Sequence, residues 1–219
     1  MTKKFGFAVL TAGTIAAGVF GFSHYVDPYE QIDYVVDGDT FFLAANKQAV
    51  RLYGLDAPEL ENCYGEQAQQ KLASLLKKKK VQLKEPLVDG LRRVLALVYV
   101  DGELINEQML KEGYAWYDSH PGSGQDVMKA AGEYAKTNRL GIYSSACTDD
   151  SPPDPKCTIK GNNDQDLNKK LYLLSECPYY SAVNVRRFEG DRWFCTEKEA
   201  PKAGFEKSSA CALGTNRNN

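Results

Sequence analysis

Short β-type runs dominate residues 31–53. Tyr34-Val35-Val36, Phe41-Phe42-Leu43 and Val50-Arg51-Leu52 are apolar or β-branched, and turn signals at Asp37-Gly38 and Ala45-Asn46-Lys47 separate them. The period then changes. From Glu66 to Lys79, Ala68, Leu72, Leu75 and Leu76 fall at i, i+4, i+7 and i+8 and form one apolar stripe of a helix. Lys77 to Lys80 close it, and cations suit a helix C-terminus, so a solvated helix end is favoured over a DNA-binding patch. Val81 to Lys84 predicts a strand, Pro86 to Gly90 a loop, and Arg92 to Val100 a second strand ending at the Asp101-Gly102 turn. Leu104 to Glu112 predicts a short helix stopped by Gly113. Ser123-Gly124-Gln125-Asp126 resembles a capping box. It would open a helix with Val127, Ala131, Tyr134 and Ala135 on one face, ending near Leu140-Gly141.

Three strands, a helix, two strands and two helices argue for an α+β class. A partly open five-stranded barrel of the oligonucleotide-binding type (OB-fold), with about three packed helices, fits this order. Ser151-Pro152-Pro153-Asp154-Pro155 breaks the pattern and marks a boundary. The expected organisation is an export segment at 1–26, a barrel domain at 27–147, a Pro-rich linker at 148–156 and a small cysteine-rich module at 157–219.

The two ends carry information about compartment. Lys3 and Lys4 precede an uncharged run from Phe5 to Phe22. Such a run reads as a secretory signal, cleaved after Ser23, or as an uncleaved membrane anchor. Either places the rest of the chain outside the cytoplasm: secreted, periplasmic or anchored. Six cysteines on an exported chain suggest disulfides, and the absence of any Cys-x-x-Cys pair speaks against zinc. A four-cysteine zinc site in the tail remains the alternative.

Composition is ordinary for a globular protein, and the formal net charge of -2 sets aside a broadly basic nucleic-acid binder. Contact with a polyanion must therefore be local. The residues for it are concentrated: Asp37, Asp39, Asp56, Glu59 and Arg51 fall within 23 positions, and Arg93 sits on a later strand-like run. Asp39 and Asp56, with the Ala57 carbonyl and waters, suit a hard cation such as calcium, with Asp37 one water further out. Glu59 is placed to act as general base. Arg51 and Arg93 present planar forks to phosphate oxygens. Each residue has a plainer reading. Asp37 and Asp39 make a hairpin turn, Glu59 is an exposed loop acid, and Arg51 pairs with a nearby aspartate. Tyr114, Trp116 and Tyr117 are candidates for base stacking or for packing at the barrel edge. His120 reads as a loop histidine.

The ordered set resembles the staphylococcal nuclease (thermonuclease) family. The resemblance rests on Asp37-Gly38-Asp39-Thr40, Arg51 through Asp56-Ala57-Pro58-Glu59, and Tyr64-Gly65-Glu66-Gln67-Ala68. Arg93 through Ala96, Tyr99-Val100-Asp101-Gly102, Asn106-Glu107 and Leu140-Gly141-Ile142-Tyr143-Ser144 continue it over roughly residues 31–145. It implies an OB-fold barrel and a calcium-dependent, monomeric nuclease of DNA and RNA that leaves 3′-phosphates. Asp39, Asp56 and the Ala57 backbone would ligate calcium, Glu59 would position or deprotonate water, and Arg51 and Arg93 would hold the phosphate. Three departures stand out: Ala57 replaces a threonine, Leu91 a tyrosine, and Leu60–Cys63 shortens a lysine-rich loop.

The tail resembles a cysteine-containing module of bacterial nucleases of this type, through Cys157-Thr158-Ile159-Lys160-Gly161-Asn162 and Arg192-Trp193-Phe194-Cys195-Thr196-Glu197. Ala203-Gly204-Phe205 and Cys211 extend the likeness. Beside it, the pairs Cys157–Cys195, Cys177–Cys211 and Cys63–Cys147 are favoured among the 15 connectivities that six cysteines allow. A non-catalytic nucleic-acid-binding module on the same barrel is the alternative to an enzyme. A wall-binding tail carrying the enzyme as cargo is a third reading.

Overall fold

The predicted runs become strands that pair largely in chain order. A computed structural model describes residues 29–119, 122–148, 151–164 and 168–213. The expected export segment and His120 lie outside the described residues. Strands β1 (Glu30–Val35), β2 (Thr40–Leu43) and β3 (Ala49–Leu52) form an antiparallel meander. After a two-residue strand β4 (Leu55–Asp56) and helix α1 (Gly65–Leu76) come β5 (Lys80–Val88) and β6 (Val94–Val100). β5 pairs with β1 and β6, and a parallel pairing of β6 with β3 closes five strands into a barrel. This is the OB-type barrel the element order predicts. The short β7 (Glu103–Leu104), α2 (Ile105–Lys111), β8 (Trp116–Tyr117), α3 (Gln125–Thr137) and α4 (Ser145–Thr148) complete this part.

β6 reads as a near-continuous apolar run because both of its faces are covered, and Ala96, Leu97 and Val98 are all buried. Asn106 is a fully buried polar residue in this core. Its side-chain oxygen accepts from the Val98 N–H at 2.9 Å, and its amide donates to the Tyr53 and Ala96 carbonyls at 2.8 and 3.2 Å. A buried amide satisfied on both ends ties the first turn of α2 to the barrel. On α1, Ala68, Leu72 and Leu76 form the buried stripe, and Lys77 to Lys80 are exposed, as a solvated helix end requires.

Some local expectations are corrected. β5 runs through Pro86, which was expected to lie in a loop. The β5–β6 register shifts between Lys84 and Leu87, and a bulge lets a strand accommodate a residue without an N–H. The capping box at residues 123–126 does not form. Gly124 caps α3 in the left-handed region without a side-chain hydrogen bond, while the Ser123 hydroxyl and N–H donate to Glu85. The buried face of α3 is Met128, Ala131, Gly132 and Ala135; Val127 and Tyr134 are about half exposed. Arg92 belongs to a turn, with φ +64° and its N–H donated to the Asp89 carbonyl, so β6 begins two residues later than the apolar run suggests.

The tail folds as a small sheet of β9 (Ile159–Asp164), β10 (Lys169–Leu173), β11 (Arg192–Phe194) and β12 (Glu206–Lys207), in the order β11-β9-β10-β12. Its core is Ile159, Tyr172, Phe194, Ala200 and Phe205. Disulfides join Cys157 to Cys195, Cys177 to Cys211 and Cys63 to Cys147, the pairs favoured from the sequence. All six sulfurs are bonded, so no thiolate remains for a zinc site. Such bonding fits an oxidising compartment. Among the described residues no helix is long and apolar enough to cross a membrane.

The tail also grips the barrel part. Phe188 is buried against Ile142 and Cys147, with its ring 5.4 Å from Trp116 and 5.9 Å from Tyr143. The Arg187 carbonyl accepts from the Cys63 N–H at 3.3 Å, and the Arg187 guanidinium donates to the Ala146 carbonyl at 3.0 Å.

Candidate active site

The β1–β2 turn and the β3–β4 segment converge at one mouth of the barrel. Asp37 holds the turn: its carboxylate accepts from the N–H groups of Asp39 and Thr40 at 3.0 and 2.8 Å. Gly38 is required there by close approach. A Cβ at Gly38 would lie 2.6 Å from the Cβ atoms of both Ala57 and Ala68, so the turn is pressed between the β4 exit and α1.

This geometry buries Asp39. One of its oxygens accepts from the Thr40 hydroxyl at 2.7 Å and from Arg51 at 2.5 Å; the other accepts the Ala57 N–H at 3.0 Å. Burial drives the Asp39 pKa up to about 7, against the lowering effect of Arg51 and the two further hydrogen bonds. The other end of the Arg51 fork is ion-paired with Asp56. Arg51 therefore bridges the two aspartates, as its plainer reading supposed, and this bridge brings the carboxylates together.

Glu59 lies exposed at the rim. Burial of part of its carboxyl raises its pKa, and Asp37, Glu61 and Asp56 add to the rise while Arg51 opposes it. The Arg51 ion pairs bring Asp39 and Asp56 together, Asp37 holds the turn beside Asp39, and Glu59 follows Asp56 at the rim, so the five charges form one largely acidic cluster. Arg93 is placed differently. Register sets Arg51 opposite Leu95, while Arg93 lies just before β6, at the end of the β5–β6 turn. Its guanidinium, however, pairs with Asp89 at 2.8 Å on the β5–β6 hairpin.

Tyr114, Trp116 and Tyr117 all pack on protein. Tyr114 lies 5.6 Å from the Tyr64 ring, Trp116 contacts Phe188, and Tyr117 packs on the barrel core. Thr40, Asp89 and Gly65 are site residues to which the sequence reading gave no role. Thr40 is legible as the hydroxyl next to Asp39. Asp89-Gly90 before Arg93 signals a turn whose acid can reach back to the arginine.

Gly65 is legible only in three dimensions. A Cβ there would meet the Glu59 carbonyl oxygen at 2.0 Å, in a turn where the Asn62 N–H donates to that same carbonyl. Gly65→Ala is expected to push the Glu59 main chain outward. We expect kcat to fall roughly 10- to 100-fold with the barrel retained, since misplacement of about 1 Å costs about that much. Steady-state kinetics beside a circular dichroism spectrum checks this; unchanged kcat would show that Glu59 tolerates the shift.

The donor set is entirely oxygen, which fits a hard cation. Among the described residues no group of three or more His, Cys, Asp or Glu side chains is placed to hold a metal. The two aspartates would thus share such an ion with backbone carbonyl and water.

Carboxylates gathered about a guanidinium at the mouth of an OB-type barrel equip a protein for phosphodiester hydrolysis, and comparison with known proteins gives the class: a hydrolytic nuclease. Residues 49–145 match the family described as "Staphylococcal nuclease homologue". The chain is 35% identical over 122 residues to "Micrococcal nuclease" of Shigella flexneri, covering 50% of this chain and 70% of that protein. It is 30% identical over 155 residues to "Protein ParB" of Escherichia coli, covering 65% and 88%. An "Uncharacterized endonuclease" of Haemophilus influenzae is 33% identical over 125 residues, covering 55% and 67%. The chain belongs to the staphylococcal nuclease family. The matched segment contains Arg51, Asp56, Glu59 and Arg93, and begins after Asp37 and Asp39.

Proposed function

We propose that this protein is an exported, monomeric, calcium-dependent nuclease that hydrolyses phosphodiester bonds in DNA and RNA and leaves 3′-phosphate ends. The observation that carries the reading is the crowding of Asp37, Asp39, Asp56 and Glu59 around Arg51. A phosphodiester is itself an anion, and this cluster repels it unless a cation offsets the excess negative charge. Asp39, Asp56 and the Ala57 carbonyl would hold that ion, with Asp37 orienting a water beside it. When bound, the ion supplies positive charge for the phosphoryl oxygens and a fixed position for water.

The chain's own residues do the rest. Glu59, made more basic by partial burial and by its acidic neighbours, takes a proton from water as the water oxygen bonds to phosphorus. Arg51 shares its fork with a phosphoryl oxygen, and Arg93, released from Asp89, would reach another; both stabilise the charge that builds on those oxygens. The bond from phosphorus to the 5′ oxygen breaks, that oxygen leaves as an alcohol after protonation from solvent, and the phosphate stays on the 3′ side. The N-terminal segment would carry the enzyme out of the cytoplasm or anchor it to the membrane there.

The test is cleavage of single- and double-stranded DNA and RNA by the whole chain with calcium, magnesium or EDTA, with end-group analysis of the products. Calcium-dependent 3′-phosphate ends are expected. Folded protein that binds nucleic acid without cutting it would overturn the enzyme reading and leave a recognition module.

Metal binding has a second readout. Calcium at 100 times its dissociation constant would stabilise the protein by about 2.7 kcal/mol, a rise in Tm of roughly 5–10 °C. EDTA should abolish the rise, and so should Asp56→Asn. A Tm indifferent to calcium would remove Asp39 and Asp56 from the ligand set.

A further inference from the structure

A groove of about 640 Å³ runs between the end of α3, β8 and the tail segment 184–189. None of Asp39, Arg51, Asp56, Glu59 or Arg93 lines it, so it is separate from the acidic cluster. It nevertheless begins beside that cluster. Trp116, in its wall, is the antiparallel partner of Asp56, and side chains directly opposite one another leave the same face of a sheet.

The lining suits a nucleic-acid strand. Lys136, in the last turn of α3, and Arg139, just beyond it, are exposed, and among the described residues neither is ion-paired. Arg186 also lines the groove, but Glu189 at 2.8 Å and Asp191 at 3.9 Å hold it as a strut. Against these cations stand Glu133 and Glu189, and with Glu189 taken up by Arg186 the groove keeps a small positive excess, carried by Lys136 and Arg139. Trp116 and Tyr143, partly exposed beyond their packing on Phe188, add aromatic surface, and Asn184 an amide. Tyr117 brings a buried hydroxyl with no hydrogen-bond partner among the described residues. Cations for phosphates, rings for bases and a few polar groups are the means by which proteins hold single strands without sequence preference. With a net charge of -2 the protein field gives no general attraction, so such a track must be built locally.

We propose that this groove is a secondary track for the single-stranded polynucleotide that flanks the scissile bond, and that the tail supplies its second wall. The proposal rests on the nuclease reading and deepens it. Phe188 and the Arg187 contacts hold the tail against the barrel part, and Cys63–Cys147 fixes α4, the element they pack on, so that the wall stays in place.

The test compares the full chain with Lys136→Gln/Arg139→Gln on two substrates. One is a nucleoside p-nitrophenyl phosphodiester, too short to leave the acidic cluster. The other is a single strand of about 20 nucleotides, longer than the roughly 4–16 nucleotides that one OB-fold track covers. The variant is expected to cleave the short ester like wild type and to show a KM raised roughly tenfold on the long strand. In a Glu59→Gln background, the slope of log affinity against log salt for the long strand should fall by about 1.4, two phosphate contacts' worth. Lys169→Gln/Lys202→Gln, outside the groove, serves as the charge-matched control and should change neither readout.

A long-strand KM equal to wild type would overturn the track and leave the nuclease intact. Equal loss on both substrates would also overturn it, since the two cations would then act on the catalytic site or the fold. Wild-type protein that cleaves neither substrate under any cation condition would overturn the nuclease reading, and the track with it.

Discussion

Glu59→Gln is expected to lower kcat on a phosphodiester by about 10³-fold while the protein stays folded, in line with the loss of a general base. The side chain is exposed, and the substitution preserves its shape while removing the proton acceptor that partial burial of its carboxyl, and then its acidic neighbours, make more basic. KM should move little, because glutamate and glutamine occupy the same space at the rim. Arg51→Ala should lose activity to a similar degree, since removing one preorganised donor for the transition state costs about 10²–10³-fold. Unlike Glu59→Gln, it should also lose stability. The Asp39 side chain is 3% exposed, and without the guanidinium it is left as a buried acid beside Asp56. Breaking such a pair costs about 3 kcal/mol or more, moderated here because Asp39 already tends toward its protonated form. The two variants together separate roles: activity lost at constant Tm for Glu59→Gln, activity and Tm lost together for Arg51→Ala. Substantial turnover by Glu59→Gln would move the base elsewhere.

Opening one disulfide should have the largest effect on stability. Cys63–Cys147 closes a loop of 84 residues, and the chain-entropy relation for a loop of that size gives about 4.5 kcal/mol. Cys63→Ser/Cys147→Ser is therefore expected to lower Tm by roughly 10 °C or more, with the two tail disulfides still closed. Activity should fall below the new Tm as well. Cys63 lies four residues after Glu59, and its N–H is held by the tail at Arg187, so the bond fixes the segment between Glu59 and α1. Thermal unfolding under non-reducing conditions measures the effect. A Tm within 2 °C of wild type would mean that packing and hydrogen bonds hold α4 against the segment before α1 without the covalent link.

Much of the barrel was legible in the chain because its signals are local. The β-type runs at 34–36, 41–43 and 50–52 became strands, and the α1 stripe of Ala68, Leu72 and Leu76 became a buried face. Where two local signals competed, tertiary contacts decided. Ser123 was free to cap α3 or to reach Glu85, and the bulged β5 strand brought Glu85 within reach. The face of α3 turned toward Met128 and Gly132, because Gly132 admits close approach: a Cβ there would lie 3.1 Å from that of Tyr117. Pro86 looked like a strand breaker, and the bulge around it made it part of a strand.

The candidate site divides along the same line. The sequence by itself determined the residue types, the spacing of Asp37, Asp39, Arg51, Asp56 and Glu59, and their family, because chemistry and turn geometry act over a few residues. The tertiary structure decided how they meet. Barrel closure set Asp39 and Asp56 on one guanidinium, raised the Asp39 pKa by burial, and left Arg93 with Asp89. It also decided that the tail is part of the same body. Phe188 lies more than forty residues from Trp116, Ile142 and Cys147, and a hydrophobic contact of that range leaves no periodic trace in the chain. Burial depends on what approaches from elsewhere, and only the folded molecule specifies that.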